Sequence, residues 1–230
     1  MSDICGDSSL VERPVQLEGG GSIPTSPLQL RKADWVVAGC DQNVAQRFIE
    51  AEHYARGTSN TATYLHGLYP QGWHWYEDCV GVAWWIPPTR SAAEAWAGER
   101  WEGVLSLSRL AIAPEVPRNA CSFLLSKSVR MIDRVRWHTL VTYADSWHGH
   151  TGAIYRACGW EYCGETKPES VYTIKGRMTA RKAGGNTRTH AEMIALGATF
   201  EGRFAKARFC LRAPPPSQKA SPQQQENDNG

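Results

Sequence analysis

Hydrophobic and polar positions change their spacing along this chain, from the alternation typical of strands to the wider spacing of helices. Apolar runs rich in β-branched and aromatic residues predict strands at 34–37, 62–69, 79–86, 104–113, 140–144, 161–166, 171–174 and 203–211. Apolar residues at helical spacing predict helices at 43–55, 92–100, 119–136 and 150–157. This order predicts an α/β (α+β) fold, in which helices cover both faces of a mixed central sheet.

Local signals set several of these boundaries. Asp41 is placed to cap the first helix and Gly57 to end it, so the pair His53-Tyr54 is expected on that helix. The turn Pro70-Gln71-Gly72 joins the second and third strands, and Pro87-Pro88 ends the third.

The two ends of the chain differ in composition from its middle. Residues 1–30 are rich in Gly, Ser and Pro, and residues 213–230 in Pro and Gln, so we expect both to be poorly ordered. Residues 31–212 are expected to form a single domain, since 230 residues can bury one full core. Its last part, 175–212, is interpreted as a basic C-terminal extension.

The net charge of +2 is small but unevenly distributed. Residues 175–212 hold nine Lys and Arg against two Glu, while residues 1–30 hold four acidic residues and one basic. A basic segment is typical of proteins that bind the phosphate backbone of DNA, although solvated basic faces are common. Phe residues interleaved in this segment favour stacking on bases. We therefore predict DNA contacts at Arg177, Arg181 and Lys182.

The numbers and positions of tryptophan and cysteine residues indicate what kind of core and which cellular compartment to expect. Six of the ten Trp lie between 73 and 101, which indicates either a thick aromatic core or a surface that stacks on planar ligands. The seven Cys are scattered and form neither a disulfide framework nor a zinc motif. Without a signal peptide or an apolar run near twenty residues, we expect a cytoplasmic protein that does not enter a membrane.

Two candidate ligand sites follow predicted strands. The strand at 104–113 leads through a turn into a helix, and the unpaired N–H groups of a helix N-terminus bind pyrophosphate well. The candidate donors there are Arg118, Asn119 and Ser122; the alternative is that Asn119 only caps the helix. Asp145 ends the next strand, where a carboxylate orients or deprotonates an amine, or caps the following turn.

This part of the chain resembles the GNAT superfamily of acyl-CoA-dependent N-acetyltransferases. The turn resembles that family's Arg/Gln-x-x-Gly-x-Gly/Ala motif, with Cys121 and Phe123 in place of small residues. The run 153–160 resembles the pattern in which a Tyr protonates the departing CoA thiolate, which implies that role for Tyr155. A phenol suits it chemically, and packing on the sheet is the alternative. The resemblance implies a GNAT-like fold and acetyl-CoA, or a related acyl donor, as cofactor.

A narrower resemblance is to the Mom DNA-modification proteins of phages, most specific in 143–157 and extending over 45–175. Matching runs include Ser108-Arg109-Leu110, Pro117-Arg118-Asn119, Tyr143-Ala144-Asp145, Gly149-His150-Thr151-Gly152 and Glu52-His53-Tyr54. The resemblance implies that adenine N6 in DNA receives a carbamoylmethyl (acetamido) group, which protects the DNA from host nucleases. Because N6 lies inside the duplex stack, the base must be flipped out or single-stranded.

The Mom resemblance also implies roles for individual residues. It places a CoA-like cleft at Arg109, Ser122, Asp145 and Tyr155. It places a catalytic pair at His53-Tyr54, with His53 as ligand of a possible Fe(II). Adjacent helical residues point about 100° apart, so this pair reaches one metal only at a helix end. Rival ligands without a diagnostic spacing are His66, His74, His148 and His150.

Three functions are therefore in competition. The first is a phage-type transferase that modifies adenine N6 in DNA. The second is an ordinary cytoplasmic N-acetyltransferase for a small amine, in which the basic segment is solvated surface. The third is a DNA-binding module on an inactive acetyltransferase scaffold, suggested by Cys121 in the turn. Acetyl transfer alone gives N6-acetyladenine, so the first function also requires a nitrogen source such as glycine or a glycyl donor.

Overall fold

Twelve strands and five α-helices form the part of the chain that the computed structural model describes, residues 29–213 apart from 56, 118 and 184. The strands are β1 (Trp35–Gly39), β2 (Tyr64–Pro70), β3 (Gly81–Ile86), β4 (Val104–Ile112), β5 (Thr139–Asp145), β6 (Glu161–Glu165), β7 (Glu169–Ile174), β8 (Arg177–Met178), β9 (Lys182–Ala183), β10 (Asn186–Thr187), β11 (Thr199–Phe204) and β12 (Lys206–Arg212). The helices are α1 (Gln42–Glu52), α2 (Arg90–Ala97), α3 (Ala120–Met131), α4 (Ala153–Ala157) and α5 (His190–Ala195). The tails predicted to be poorly ordered lie almost entirely outside the described residues.

Seven strands build the central sheet in the order β1-β2-β3-β4-β5-β12-β6. Neighbouring strands run antiparallel except β4 and β5, which are parallel. That parallel pairing covers only Val104–Ser106 against Thr139–Val141, so the two strands part beyond it. Trp84 pairs with Arg109 and Trp85 with Leu107, which leaves Ser108 as a bulge on β4. The predicted mixed sheet is confirmed.

Alternation along β3 sends successive side chains to opposite faces of this sheet. Val82 and Trp84 pack in the cluster that contains α1, whereas Ala83 and Trp85 pack in the cluster that contains α3. Partly buried residues of α4 join the α3 face, and Ala93 of α2 packs on β4 and β5 from the other. Helices on both faces are therefore confirmed. Trp84 and Trp85 are fully buried, as the core interpretation of the Trp cluster predicts.

Three helices end earlier than the sequence predicts: α2 ends at Ala97 instead of 100, and α1 and α3 end three and five residues early. Asp41 caps α1 as predicted, since its carboxylate accepts hydrogen bonds from the N–H groups of Asn43 and Val44. The helix nevertheless ends at Glu52, and His53 follows in extended backbone. In α3, the helix ends before Asp133, whose carboxylate accepts two backbone N–H bonds of its own turn.

Residues 167–205, here called the inserted segment, leave the central sheet after β6 and return to it at β12. Its strands form a sheet of order β11-β7-β8 and a β9–β10 hairpin, and α5 packs on this sheet through Met193. The Thr166 N–H donates to Lys206 O at 2.9 Å, and the Lys206 N–H donates to Thr166 Oγ1 at 2.9 Å. The segment therefore begins and ends at one point of the central sheet.

The inserted segment corrects two expectations. The single strand predicted at 203–211 is two strands, because β11 belongs to the small sheet and β12 to the central one. The predicted basic extension is not peripheral either, since β12 lies between β5 and β6. None of the helices in the described residues is long and apolar enough to cross a membrane.

Candidate active site

The divergence of β4 and β5 opens a cavity of about 520 Å³, here called the main cleft. Residues 107–112 form one wall and 142–145 the other. Residues 149–155 close one side, and 52–54, just past the end of α1, close another. The structure thus brings Arg109, Asp145 and Tyr155, which were predicted to share a cleft, together with the pair His53-Tyr54.

Tyr155 lies on α4 with its ring packed on Phe209 and Trp160, at centroid distances of 5.2 and 5.8 Å. Burial raises the pKa of Tyr155 to about 12, and a hydrogen bond with Thr142 opposes this shift. Thr142 Oγ1 donates to Leu107 O at 3.3 Å, which links β5 to β4. Tyr155 therefore keeps its proton at neutral pH, and Thr142 is a residue of the main cleft that sequence patterns missed.

The approach of α4 to the sheet depends on a glycine. Gly152 precedes α4 with φ of 73°, a conformation that side chains with a Cβ rarely adopt. A Cβ at this position would also collide with the ring of Phe209 on β12. Gly152 thereby allows Tyr155 to reach the gap between the strands.

Asp145 is buried at the end of β5, and both of its carboxylate oxygens are engaged. One oxygen accepts a hydrogen bond from the Trp147 N–H at 3.1 Å, which is the turn-capping role considered from the sequence. The other lies 3.7 Å from Lys206 Nζ of the adjoining β12. Asp145 therefore enters the main cleft as a fixed carboxylate with a cation beside it.

Arg109 fixes the loop that follows α1. Its Nε donates to Gly57 O at 2.8 Å, and one terminal nitrogen donates to Ser108 O at 2.7 Å. Burial lowers the pKa of Arg109, while the nearby Tyr54 hydroxyl raises it. The side chain thus ties the bulged strand β4 to the segment that carries His53 and Tyr54.

His53 and Tyr54 follow α1 rather than lying on it, which corrects the sequence expectation. The Tyr54 ring lies 4.3 Å from His53, 3.7 Å from His148 and 5.4 Å from His150, measured between centroids. Burial, then Arg109 and the two other imidazoles, lower the pKa of His53 to about 4. His53 is therefore a neutral ring at neutral pH, inside a cluster of aromatic side chains.

This arrangement does not fit a metal ion held by His53. His53 Nδ1 accepts the Ala55 N–H at 3.1 Å, so in the neutral ring Nε2 carries the proton and has no free lone pair. Among the described residues, a group of three or more His, Cys, Asp or Glu ligand atoms close enough to share an ion occurs only at Glu161, Cys163 and Cys210, which do not line the main cleft. Of the rival ligands, His66 bonds to Ser128 Oγ at 2.6 Å inside the core.

The predicted cofactor residues at the start of α3 lie apart from the main cleft. Asn119 Oδ1 accepts the Leu30 N–H at 2.6 Å, and Ser122 Oγ donates to Asn119 O at 2.9 Å. Both line a separate cavity of about 290 Å³. Arg118 lies outside the described residues. Cys121 is the member of this turn that lines the main cleft, and burial raises the pKa of its thiol to about 12.

The predicted DNA contacts divide into two groups. Arg181 and Lys182 line a third cavity, of about 600 Å³, between the inserted segment and the Asp145 end of β5. Arg177 does not line it, although its neighbour Met178 does. Successive residues of a strand point to opposite sides, which explains the separation.

Comparison with solved structures identifies the class of fold. The ribosomal-protein-S18-alanine N-acetyltransferase of Escherichia coli is 12% identical, with a TM-score of 0.51 over 81% of this chain and 99% of that one. A Bacillus subtilis acetyltransferase in complex with CoA is 8% identical, with a TM-score of 0.46 over 80% of this chain and 100% of that one. The fold is that of the GNAT N-acetyltransferases, as the sequence predicted.

Comparison with family models then identifies the branch. Residues 34–209 match the model of the Mom protein family, and the chain belongs to that family. The match includes the main cleft and all of the inserted segment. A search of curated proteins finds no match to this chain.

Proposed function

We propose that this protein is a transferase that converts adenine in DNA to N6-carbamoylmethyladenine, with a glycyl thioester as donor. Such a donor supplies both carbons and the amide nitrogen and releases a thiolate, whereas acetyl-CoA alone would give N6-acetyladenine. One observation carries the proposal. In a chain of the Mom family, the gap between β4 and β5 holds both a buried Tyr hydroxyl and a fixed carboxylate. A role in protecting phage DNA from host nucleases follows from the same family resemblance.

Tyr155 is proposed as the general acid. Because burial raises the pKa of Tyr155 to about 12, its hydroxyl keeps the proton at neutral pH and can give it to a departing thiolate. The same burial raises the pKa of a thiol released in the main cleft, so the pKa values of the proton donor and of its acceptor rise together. The ring packing against Phe209 and Trp160 holds Tyr155 in place on α4.

Asp145 is proposed to orient the amine that receives the group. Its carboxylate is buried, and the bonds from Trp147 and Lys206 keep it in one position. Arg109 and the His53-Tyr54 pair also line the main cleft and are proposed to position the target base. In this arrangement His53 contributes a hydrogen-bond donor at Nε2, since Nδ1 is already an acceptor.

The product distinguishes this function from its alternatives. The chain is expressed in a bacterial host, the host DNA is digested completely, and the nucleosides are weighed by mass spectrometry. We expect a deoxyadenosine heavier by one carbamoylmethyl group, absent from cells that express Tyr155→Phe or Asp145→Ala. An N6-acetyl product would indicate simple acetyl transfer. Unmodified DNA, together with CoA release on small amines, would favour an ordinary acetyltransferase.

A further inference from the structure

The third cavity lies next to the main cleft but is built by different elements. Its walls come from residues 168–172, 178–182 and 203–206, all in or beside the inserted segment. Asp145 lines both cavities, so a ligand that occupied the two would pass this carboxylate. Its volume of about 600 Å³ falls within the usual range of ligand pockets, roughly 300–1,000 Å³.

Four cationic side chains line this cavity against two carboxylates. The cations are Arg181, Lys182, Arg203 and Lys206, and the carboxylates are Asp145 and Glu169. Lys206 and Asp145 pair with each other, which leaves three cations against one carboxylate. Among the described residues, none of these three cations forms an ion pair. The cavity therefore has an excess of positive charge toward a ligand.

Backbone carbonyls, rather than carboxylates, hold the two guanidinium groups. Arg181 Nε donates to Arg188 O at 2.8 Å, and one terminal nitrogen of Arg203 donates to Pro168 O at 3.1 Å. A carbonyl orients a guanidinium without neutralising its charge. The remaining N–H groups are thus left for an anion, and an Arg fork matches the oxygens of a phosphate.

Less polar side chains accompany these cations. Phe204, which is half-buried, and Met178, which is exposed, also line this cavity. Cations that follow a backbone, with an apolar or aromatic surface for sugar or base, are the combination that binds single-stranded nucleic acid. A small anion such as free phosphate would need the cations but would make no use of these surfaces.

We propose that the third cavity binds the sugar–phosphate backbone of the DNA strand beside the target base, while that base enters the main cleft. This inference rests on the proposed function and adds the path of the strand. Arg181, Lys182 and Arg203 contact the phosphates, and Lys206 marks the passage between the cavities through its pair with Asp145. Arg177, predicted from the sequence as a contact, takes no part.

The test measures how salt weakens the binding of a labelled single-stranded DNA oligonucleotide with one central adenine. Each lost phosphate contact lowers the log–log slope by about 0.7 on a single strand. The triple variant Arg181→Gln, Lys182→Gln, Arg203→Gln should therefore lower the slope by about 2. Arg177→Gln is the matched control and should leave the slope unchanged. The charge-conserving variant Arg203→Lys should also keep it.

Two outcomes would overturn the proposal. An unchanged slope in the triple variant, with an unchanged melting temperature, would show that the cavity does not contact phosphate. If Arg177→Gln lowered the salt slope as much as the loss of one cavity cation does, DNA would contact a diffuse basic surface instead of this cavity.

Nucleoside analysis distinguishes failure of the proposed function from failure of the proposed docking site. If the wild-type protein modifies DNA but the triple variant keeps the wild-type salt slope, only the third cavity is rejected as the docking site. If the wild-type protein modifies no DNA but the triple variant has a lower slope, only the modification chemistry is rejected.

Discussion

Asp145 of the main cleft and the two arginines of the inserted segment differ in how their charge is compensated. In the main cleft, Asp145 is buried and both of its oxygens have partners. In the inserted segment, Arg181 and Arg203 are anchored to carbonyls, and their charge is left unneutralised. Groups that are fixed and satisfied suit a site of chemistry, because geometry is then set before the substrate arrives. Groups that are anchored but still charged suit recognition of a polyanion.

The two regions are also formed by different parts of the fold. The main cleft follows from strand pairing, since β4 and β5 pair over only three residues before parting. The inserted segment begins and ends at the β6–β12 junction, where Thr166 and Lys206 are hydrogen-bonded. One region is thus built by pairing within the central sheet, and the other by a segment with a small sheet of its own. The two should therefore be separable by experiment.

Excision of the inserted segment should have the largest effect. Residues 167–205 are replaced by Asn-Gly, a two-residue turn suited to the antiparallel pair β6–β12. We expect the central sheet to fold, since Thr166 and Lys206 already form the end of that pair. Modification of DNA should be abolished, while binding of the acyl donor remains. Circular dichroism, calorimetry with the donor and nucleoside analysis measure these three properties.

The control for the excision keeps the full length of the inserted segment but removes three of its cationic side chains. The segment is kept, and Arg181, Lys182 and Arg203 are changed to Gln in the same preparation series. If the excised protein still modified DNA at the wild-type level, the inserted segment would have no part in substrate binding. If it lost the acyl donor as well, the two regions would be one cooperative site.

Tyr155→Phe should lower the rate of group transfer by about 10²-fold or more, the usual contribution of a general acid. The ring contacts with Phe209 and Trp160 do not need the hydroxyl, so melting should be nearly unchanged. Binding of DNA should also be unchanged, because Tyr155 does not line the third cavity. Tyr162→Phe is the control, since Tyr162 also packs on Phe209, at 5.6 Å, but is 46% exposed. Full activity of Tyr155→Phe would show that Tyr155 contributes only packing and does not act as the general acid.

The sequence predicted the main cleft well, because its elements are long and strongly patterned. The strand predicted at 104–113 is β4, and Asp145 ends β5 as expected. The contact that completes the cleft was not predictable in this way. Phe209 meets Gly152 across 57 residues of chain, and no local pattern encodes such a pair.

The strand predicted at 171–174 is β7, but the other short elements of the inserted segment were missed for the opposite reason. Three of its strands have only two residues each, and α5 has six, too few for a periodicity to appear. One signal was present: Thr189 and Glu192 form a capping box, the spacing that marks a helix start. The roles of single basic residues were harder still. Arg177 and Arg181 look alike in sequence, and only their positions on the small sheet and the β9 edge distinguish them.

Gly152→Ala should destabilise the protein by about 2–4 kcal/mol, combining the cost of the left-handed conformation with overpacking against Phe209. Gly149→Ala is a matched control, because Gly149 has the same φ of 73° and open space around its Cβ position. It should cost only about 1–2 kcal/mol, the conformational part. Urea denaturation measures both. Equal losses in the two variants would mean that the Phe209 contact contributes nothing and that the cleft does not depend on β12.

The smallest expected effect is the loss of stability at acid pH, and it compares a buried histidine, His66, with an exposed one, His74. Burial lowers the pKa of His66 to about 4, whereas an unfolded histidine has a pKa of about 6.5. The unfolded chain therefore binds this proton first as the pH falls. Stability is full above pH 6.5 and declines as the pH falls toward 4, by at most about 1.4 kcal/mol per pH unit for one such group.

His66→Gln should flatten this decline, because it removes the group that the folded state keeps neutral. The Trp85 indole donates to Ser128 Oγ at 2.8 Å, so the Ser128 proton is directed to His66 Nδ1, and a Gln oxygen can accept it instead. His74→Gln is the control, since His74 is exposed and should leave the pH dependence unchanged. Urea midpoints at pH 7 and pH 5 give the comparison. A decline as steep in His66→Gln as in the wild type would assign the acid sensitivity to His53 in the main cleft.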